Sequence, residues 1–307
     1  MSQAKSTFEQ WRILQAVVDC GGYAQAAEKL NKSQSSLNHA VAKLQTQLGV
    51  ALLEVRGRKA YLTESGEVLL RRSRHITRSV SELEQLASNL EKGWEPSLLI
   101  SREMIYPMEH LIDALAEFEP QGRGTRITIL DSVISGSAEL VESEAVDLAI
   151  IGGAPPKGHL AQPLCNVDFH LVCHPSHPLA SMELPLDDQT LAEQLQIVIK
   201  DTGQIARGEL GWLKAERRWT VANFHEALVV LSKGLGFCWI PSHLICDAIK
   251  EGRLTRLTLK GSSHRQVPLS LVIPNRDKQG PASQLLEQLI LKNHSVLEGE
   301  GEGRGRC

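Results

Sequence analysis

The sequence is poor in the features that mark disulfide-held folds, membrane proteins and common catalytic centres. Its six cysteines (Cys20, Cys165, Cys173, Cys238, Cys246, Cys307) are scattered through 307 residues with no C-x-x-C, which argues against structural zinc and a disulfide framework. No apolar run approaches the ~20 residues of a membrane span, and residues 1–9 lack the apolar core of a signal peptide. The cytoplasm is therefore the expected location, with no membrane partner. There is no G-x-S-x-G; the run G-A-P-P-K-G from Gly153 lacks Walker A spacing; Gly234-Leu235-Gly236 is not a dinucleotide fingerprint. Cys173, His174 and His177 straddle a strand end and a proline turn, a poor frame for metal ligands. Neither an enzyme, a metal nor a cofactor is expected.

What is present suits a globular protein of two or three units: 42% apolar and 22% charged residues in a chain of this length. The net charge of −3 hides an asymmetry. Residues 1–78 hold twelve Lys/Arg against six Asp/Glu, and the remaining residues twenty-one against thirty, surpluses of +6 and −9. A basic head on an acidic body fits a DNA-binding head on a body that does not bind DNA.

The head is organised around residues 23–42, two short helices broken at Asn31 and Lys32. Ala26, Ala27 and Leu30 give the first an apolar side of mostly small residues, as close crossing in a helix-turn-helix requires. Ser33 is placed to cap the second, whose Leu37, Val41, Leu44 and Leu48 share one side. Ser35, His39 and Thr46 occupy the other, flanked by Ser36, Asn38 and Lys43; short hydrogen-bonding side chains are what a helix reading base edges needs. An ordinary solvated helix face would have a similar composition. An amphipathic helix precedes the pair, over 6–20. After it, apolar residues flank Arg56-Gly57-Arg58-Lys59, predicting a hairpin with a basic tip, a wing for phosphates or a minor groove.

Thr63 is placed to cap a proline-free helix running to about Lys92. Leu69, Ser73, Ile76, Val80, Leu83, Ala87 and Leu90 form an a/d seam along it, basic in its first half and acidic in its second, favouring an antiparallel partner. Gly93-Trp94-Glu95-Pro96 then marks a boundary. Beyond it, strands are expected at 97–101, 126–130, 147–151, 169–173, 196–199, 219–221, 237–240 and 268–273, with helices at 107–118, 137–141, 224–232, 241–250 and 281–294. This predicts α/β structure, most simply two linked sheets with helices on their faces. The tail from residue 297 to 307 is expected to be disordered.

The motifs A-A-E-K-L-N-K-S-Q-S-S-L-N at 26–38, L-x-x-x-L-G at 44–49 and R-G-R-K-A-Y-L-T-E-S-G at 56–66 resemble those of the LysR-type transcriptional regulators. V-D-L-A-I-I at 146–151, H-P-L-A at 177–180 and K-G-L-G-F-C-W-I-P at 233–241 extend the resemblance over nearly the whole chain. It implies a winged helix-turn-helix over 1–65, a linker and dimerisation helix over 66–93, and an effector-binding domain over 97–296 similar to periplasmic binding proteins. That domain would hold one α/β subdomain at 97–164 plus 266–296 and a second at 165–265. The implied partners are double-stranded promoter DNA, a small-molecule effector, further copies of the chain (a homodimer through the linker helix, then a homotetramer) and, as a candidate, RNA polymerase. The effector would shift the angle between the subdomains and so the spacing of the heads along DNA. Asn38 stands where the family usually has serine, Ser36 where alanine is common, and Val55 where arginine is frequent.

For DNA, Gln34, Asn38 and His39 are the expected base readers and Ser33, Ser35 and Lys43 the phosphate contacts, with Ser36 beside them and Arg56 and Arg58 on the wing. For the effector, strand ends and helix N-termini select Ser101 and Arg102, Asp131 and Ser132, and Gly152 and Gly153, with Asp201, Thr202 and Asn223 facing them from the second subdomain. Arg102 points to an anion such as a carboxylate, or else to a surface or inter-subunit salt bridge. Two alternatives stay open: a small-molecule-binding module, and a thiol-based redox regulator using Cys165, Cys173, Cys238 or Cys246. Peroxide-sensing relatives carry a cysteine pair near 199–208, where this chain has none.

Overall fold

The computed structural model describes residues 4–56, 59–204, 213–261 and 264–300. It divides at Glu91/Lys92 into two compact units.

In the first unit, α1 (Phe8–Asp19) opens with a capping box in which Thr7 and Gln10 exchange side-chain bonds to backbone N–H groups. The pair α2 (Tyr23–Leu30) and α3 (Gln34–Leu48) is separated by Asn31, whose left-handed φ of 52° ends α2. Ile13, Leu14, Val17, Ala26, Ala27, Leu37, Val41 and Leu44 close one core, and the two alanines let α2 cross its neighbours closely. Gln45 Oε1 accepts the N–H groups of Leu52 (2.7 Å) and Leu53 (3.0 Å), fixing the entry into β1 (Leu53–Arg56), which pairs antiparallel with β2 (Lys59–Leu62). Thr63 Oγ1 donates to Ala51 O at 2.6 Å and accepts the Gly66 N–H at 2.9 Å, so one hydroxyl ties the hairpin to the start of α4 (Glu64–Glu91). The seam of α4 serves two ends. Ser73 is buried and accepts from Gln15 of α1, whereas Ile76, Leu83 and Leu90, seven residues apart, are 59%, 64% and 47% exposed.

The second unit is α/β, but its two expected sheets are hydrogen-bonded into one path. The strand order is β4 (Arg126–Ser132), β3 (Ser97–Glu103), β5 (Leu148–Gly152), β11 (His264–Val272), β6 (Ala161–Cys173), β9 (Phe237–Pro241), β7 (Leu195–Ile199) and β8 (Arg217–Val221), with β10 (Thr255–Leu257) also on β6. β3 runs parallel to β4 and β5, and β7 parallel to β8 and β9. The two halves are stitched by β6 and β11, antiparallel strands whose register shifts at Leu269/Ser270. Both were expected to be short. The expected subdomain limits at 164/165 and 265/266 fall inside them, because a strand shared by two halves carries no break in pattern.

Helices α5 (Met108–Phe118) and α10 (Pro281–Glu300) cover one face of the first half, burying Leu111, Ala114, Phe118, Leu286 and Ile290 against Leu98 and Ile100. α6 (Ser135–Glu142) covers the other through Val141, against Ala149 and Ile151. In the second half α8 (Phe224–Ser232) packs on β7 and β9, and α7 (Asp188–Ala192) lies over Leu171 and Phe237. The helix expected at 241–250 is two pieces, a 3-10 turn (Ser242–Leu244) and α9 (Cys246–Lys250), with Ile245 off helical geometry between them. The tail expected to be disordered from 297 begins instead inside α10, which runs on to Glu300. No proline interrupts it, and each added residue gains a helical bond once a helix is formed. Residues 301–307 lie outside the described residues. The Glu95 carboxylate accepts the N–H groups of Ala282 (2.8 Å) and Ser283 (3.1 Å), capping α10 with the segment that follows α4.

Candidate DNA interface and effector cleft

The α3 helix sorts its residues by face. Leu37, Val41 and Leu44 are fully buried, while Gln34, Ser35, Ser36, Asn38, His39, Ala42, Lys43 and Thr46 are all exposed. Ser33 Oγ accepts the Ser36 N–H at 3.2 Å, which leaves its hydroxyl proton to donate outward from the helix N-terminus. Among the described residues no hydrogen bond or ion pair engages the side chains of Gln34, Asn38, His39 or Lys43. The small Ala42 lies among them, so a surface as close as a groove floor meets polar tips first. On the wing, the backbone of Arg56 pairs with Lys59; Arg58, also expected to contact DNA, lies outside the described residues.

In the second unit the expected effector residues fall into separate groups. Ser101 and Ser132 are buried and belong to one chain of hydroxyls: Ser101 Oγ to Ser132 Oγ at 2.8 Å, then Ser132 Oγ to Ser137 Oγ at 2.8 Å. Ser137 donates at 2.5 Å to Glu103, whose carboxyl group belongs to a residue only 3% exposed. Gly152 flanks it, and a Cβ there would sit 3.5 Å from Glu103 Cγ. Gly153, at φ +79°, turns the chain away and donates to Pro268 O. Burial pushes the Glu103 carboxyl up to about 7; the bonds from Ser137 and the Ile134 N–H oppose this, Asp201 adds to it and Arg102 subtracts.

Arg102 lies on the opposite face of β3, where parallel register brings it beside Asp131. Its Nε is 2.7 Å from Asp131 Oδ1 and its Nη1 donates to Tyr106 O at 3.3 Å, so the guanidinium is held by the protein itself. Arg102 does form a salt bridge, made within the chain to Asp131 by a side chain only 12% exposed. Asn223 caps α8, accepting the Glu226 N–H at 2.9 Å.

Asp201 and Thr202 reach across to α6. Asp201 accepts from Ser135 N (3.0 Å) and Ser135 Oγ (2.6 Å), while Thr202 Oγ1 accepts from Val133 N at 2.8 Å. Although burial acts to raise it, hydrogen bonds from Ser135, Gly203 and Gly136 hold the Asp201 carboxyl below the usual carboxylate value. Beside this contact opens a cavity of about 660 Å³ whose lining, among the described residues, includes Asp131, Glu139, Glu142, Gly136 and Gln204 and no Lys, Arg or His. Sequence reasoning missed Glu103, Ile134, Ser135 and Ser137. Extending β3 by two residues past Ser101 puts Glu103 on the same strand face, the one signal that pointed to it.

The thiols of Cys165 and Cys173 are pushed up to about 11 and that of Cys238 to about 12 by burial, which keeps them in the unreactive protonated form at neutral pH. His177 Nδ1 accepts the Leu179 N–H at 3.2 Å and His174 pairs with Ser176, so these residues of the expected turn make local contacts.

A winged helix-turn-helix with an open polar reading face and a two-lobed α/β domain together define a DNA-binding transcriptional regulator with an effector-binding domain. Two family models place it more closely: the bacterial regulatory helix-turn-helix of the lysR family matches residues 8–67, and the LysR substrate binding domain matches 93–295. The chain belongs to the LysR family of transcriptional regulators. It is 30% identical over 247 residues to the HTH-type transcriptional regulator YeeY of Escherichia coli K12, covering 79% of this chain and 80% of that one. It is 27% identical over 288 residues to the probable HTH-type transcriptional regulator YhaJ of the same organism, covering 90% and 93%. Among solved structures, full-length LysG from Corynebacterium glutamicum has a TM-score of 0.51 at 18% identity, over 94% of this chain and 98% of that one. The virulence activator AphB of Vibrio cholerae has 0.50 at 18%, over 94% and 99%. At these identities the structures speak to the fold alone. Among the described residues no helix is long and apolar enough to cross a membrane.

Proposed function

We propose that α3 reads promoter DNA from the major groove, with Gln34, Asn38 and His39 on base edges, Ser33, Ser35 and Lys43 on phosphates, and Ser36 between them. Arg56 and Arg58 of the wing add contacts to the backbone or the neighbouring minor groove. The observation that supports this most directly is the state of α3: its apolar side is fully buried, and its polar side is exposed with four side chains uncommitted. The exposed heptad Ile76, Leu83 and Leu90 supports pairing of two copies through α4, and two such pairs make a tetramer. A small-molecule effector acts between two subdomains, one at 97–164 plus 266–296 and the other at 165–265, and alters how the heads are spaced for DNA and RNA polymerase. Because Arg102 is spent on Asp131, the feature that favoured an anionic effector no longer does so.

Alanine at Asn38 and at Lys43 separates the roles. Loss of a base contact costs about 1–3 kcal/mol of discrimination at one base pair. Loss of a phosphate contact weakens binding to all sequences and lowers the salt slope by about 1. Asn38→Ala with unchanged base preference at every position of its operator overturns the assignment of that residue.

A further inference from the structure

The two halves of the effector domain touch where residues 201–204, just after β7, lie on the N-terminus of α6. Asp201 holds Ser135 through both its N–H and its hydroxyl, Thr202 holds Val133, and Gln204 N donates to Glu139 at 2.9 Å. The approach is backbone-close: a Cβ on Gly136 would lie 2.0 Å from Thr202 Oγ1, and one on Gly203 would lie 2.5 Å from Ser135 Cβ. An α-helix N-terminus favours one negative charge. Here Asp201 supplies it from within the chain, so any ligand reaching these N–H groups must displace Asp201.

A second carboxyl sits beneath the same turn. Ile134 N is 3.4 Å from Glu103 Oε1, and the next N–H, that of Ser135, goes to Asp201. Ile134 itself has φ 52°, ψ −103°, a conformation a β-branched residue adopts only under constraint, and such strain gathers at switching positions. Among the described residues the groups that face Glu103 are few. Ser137 comes from α6, Ser101 and Ser132 complete the hydroxyl chain, and Gly152, Val267 and Leu269 bring no charge from β5 and β11. Among the described residues the charged neighbours are Asp201, Arg102 (already tied to Asp131) and, further along α6, Glu139.

We propose that Asp201 and Glu103 form a proton-gated clasp: with Glu103 neutral, Asp201 holds residues 201–204 on α6, and loss of the Glu103 proton to solvent releases them. Ionised Glu103 puts a second negative charge against a turn that already holds Asp201, and leaving the strained φ and ψ of Ile134 would relieve that turn. Burial sets the exchange of that proton near neutrality. The device is independent of which effector the domain binds.

Backbone hydrogen exchange of the full chain tests it, read in peptides covering 133–137 and 201–204 and corrected for the intrinsic pH dependence of exchange. From about pH 5.5 to about pH 8.5, protection of Ser135, Gly136 and Gly203 falls by about tenfold, the equivalent of a coupling of one pKa unit. In Glu103→Gln these amides stay protected across the range, and in Asp201→Asn they are open throughout. Unchanged protection in the unaltered chain overturns the proposal, as does a fall that persists in Glu103→Gln. So does retained protection in Asp201→Asn.

Discussion

Replacing Glu103 by Gln removes the buried carboxyl whose protonation, among the described residues, the fold shifts furthest from its ordinary range. Its value is raised from 4.5 to about 7, so the ionised form is disfavoured by about 3 kcal/mol, taking 1.36 kcal/mol for each pKa unit. The group is almost wholly buried, so solvent screening removes little of this. The sign follows from linkage: folding is helped fully while Glu103 is neutral in both states, below 4.5. That contribution is lost as pH rises to about 7, and the loss is then constant. His294 acts in the opposite sense. Burial, helped by His110, lowers it from 6.5 to about 4, so its contribution is present above 6.5 and disappears as pH falls to about 4. The two trends oppose each other in the unaltered chain, so its own pH profile isolates neither. The difference between the unaltered chain and Glu103→Gln isolates Glu103, since His294 is common to both. Urea unfolding followed by circular dichroism, with the two units fitted as separate transitions, measures it. The variant is expected to gain about 3 kcal/mol on the unaltered chain between pH 4.5 and pH 8, with most of the change below pH 7. A difference that stays flat with pH refutes the assignment of Glu103 as a neutral buried acid.

Gly66→Ala places a methyl 2.1 Å from Leu52 O, a backbone atom, so the join between hairpin and α4 must shift. Thermal unfolding of the head is expected to show a loss of about 1–3 kcal/mol. Tyr106→Phe removes the hydroxyl 2.6 Å from His294 Nε2 and leaves a buried ring nitrogen without a partner. The cost is about 1–3 kcal/mol in the effector-domain transition, and an unchanged midpoint contradicts it. Cys165, Cys173 and Cys238 are expected to resist iodoacetamide in the folded chain at pH 8 and to react once it is unfolded in urea, as intact-mass measurement reports.

The head was readable because each local signal agreed with the fold. Ser33 caps, Asn31 tolerates a left-handed turn, and Leu37, Val41 and Leu44 repeat at the spacing that one buried helix face needs. The effector domain was readable at the level of strands and much less so as a site. Arg102 and Asp131 were each singled out, yet their ion pair depends on the register of β3 on β4, which no single stretch encodes. Glu103 was hidden by the strand being drawn two residues short. The shared strands β6 and β11 looked like short ones because Pro163 and Pro268 interrupt their patterns. α7 and β10, five and three residues long, are too short for periodicity to register.

The central claim is that α3 and the wing bind promoter DNA by sequence. The measurement that tests it most directly is fluorescence anisotropy of the full chain with the intergenic duplex beside its own gene, against a scrambled duplex, at two salt concentrations. Preference for the native duplex is expected, with affinity that falls steeply as salt rises. No binding to either duplex at low salt contradicts it.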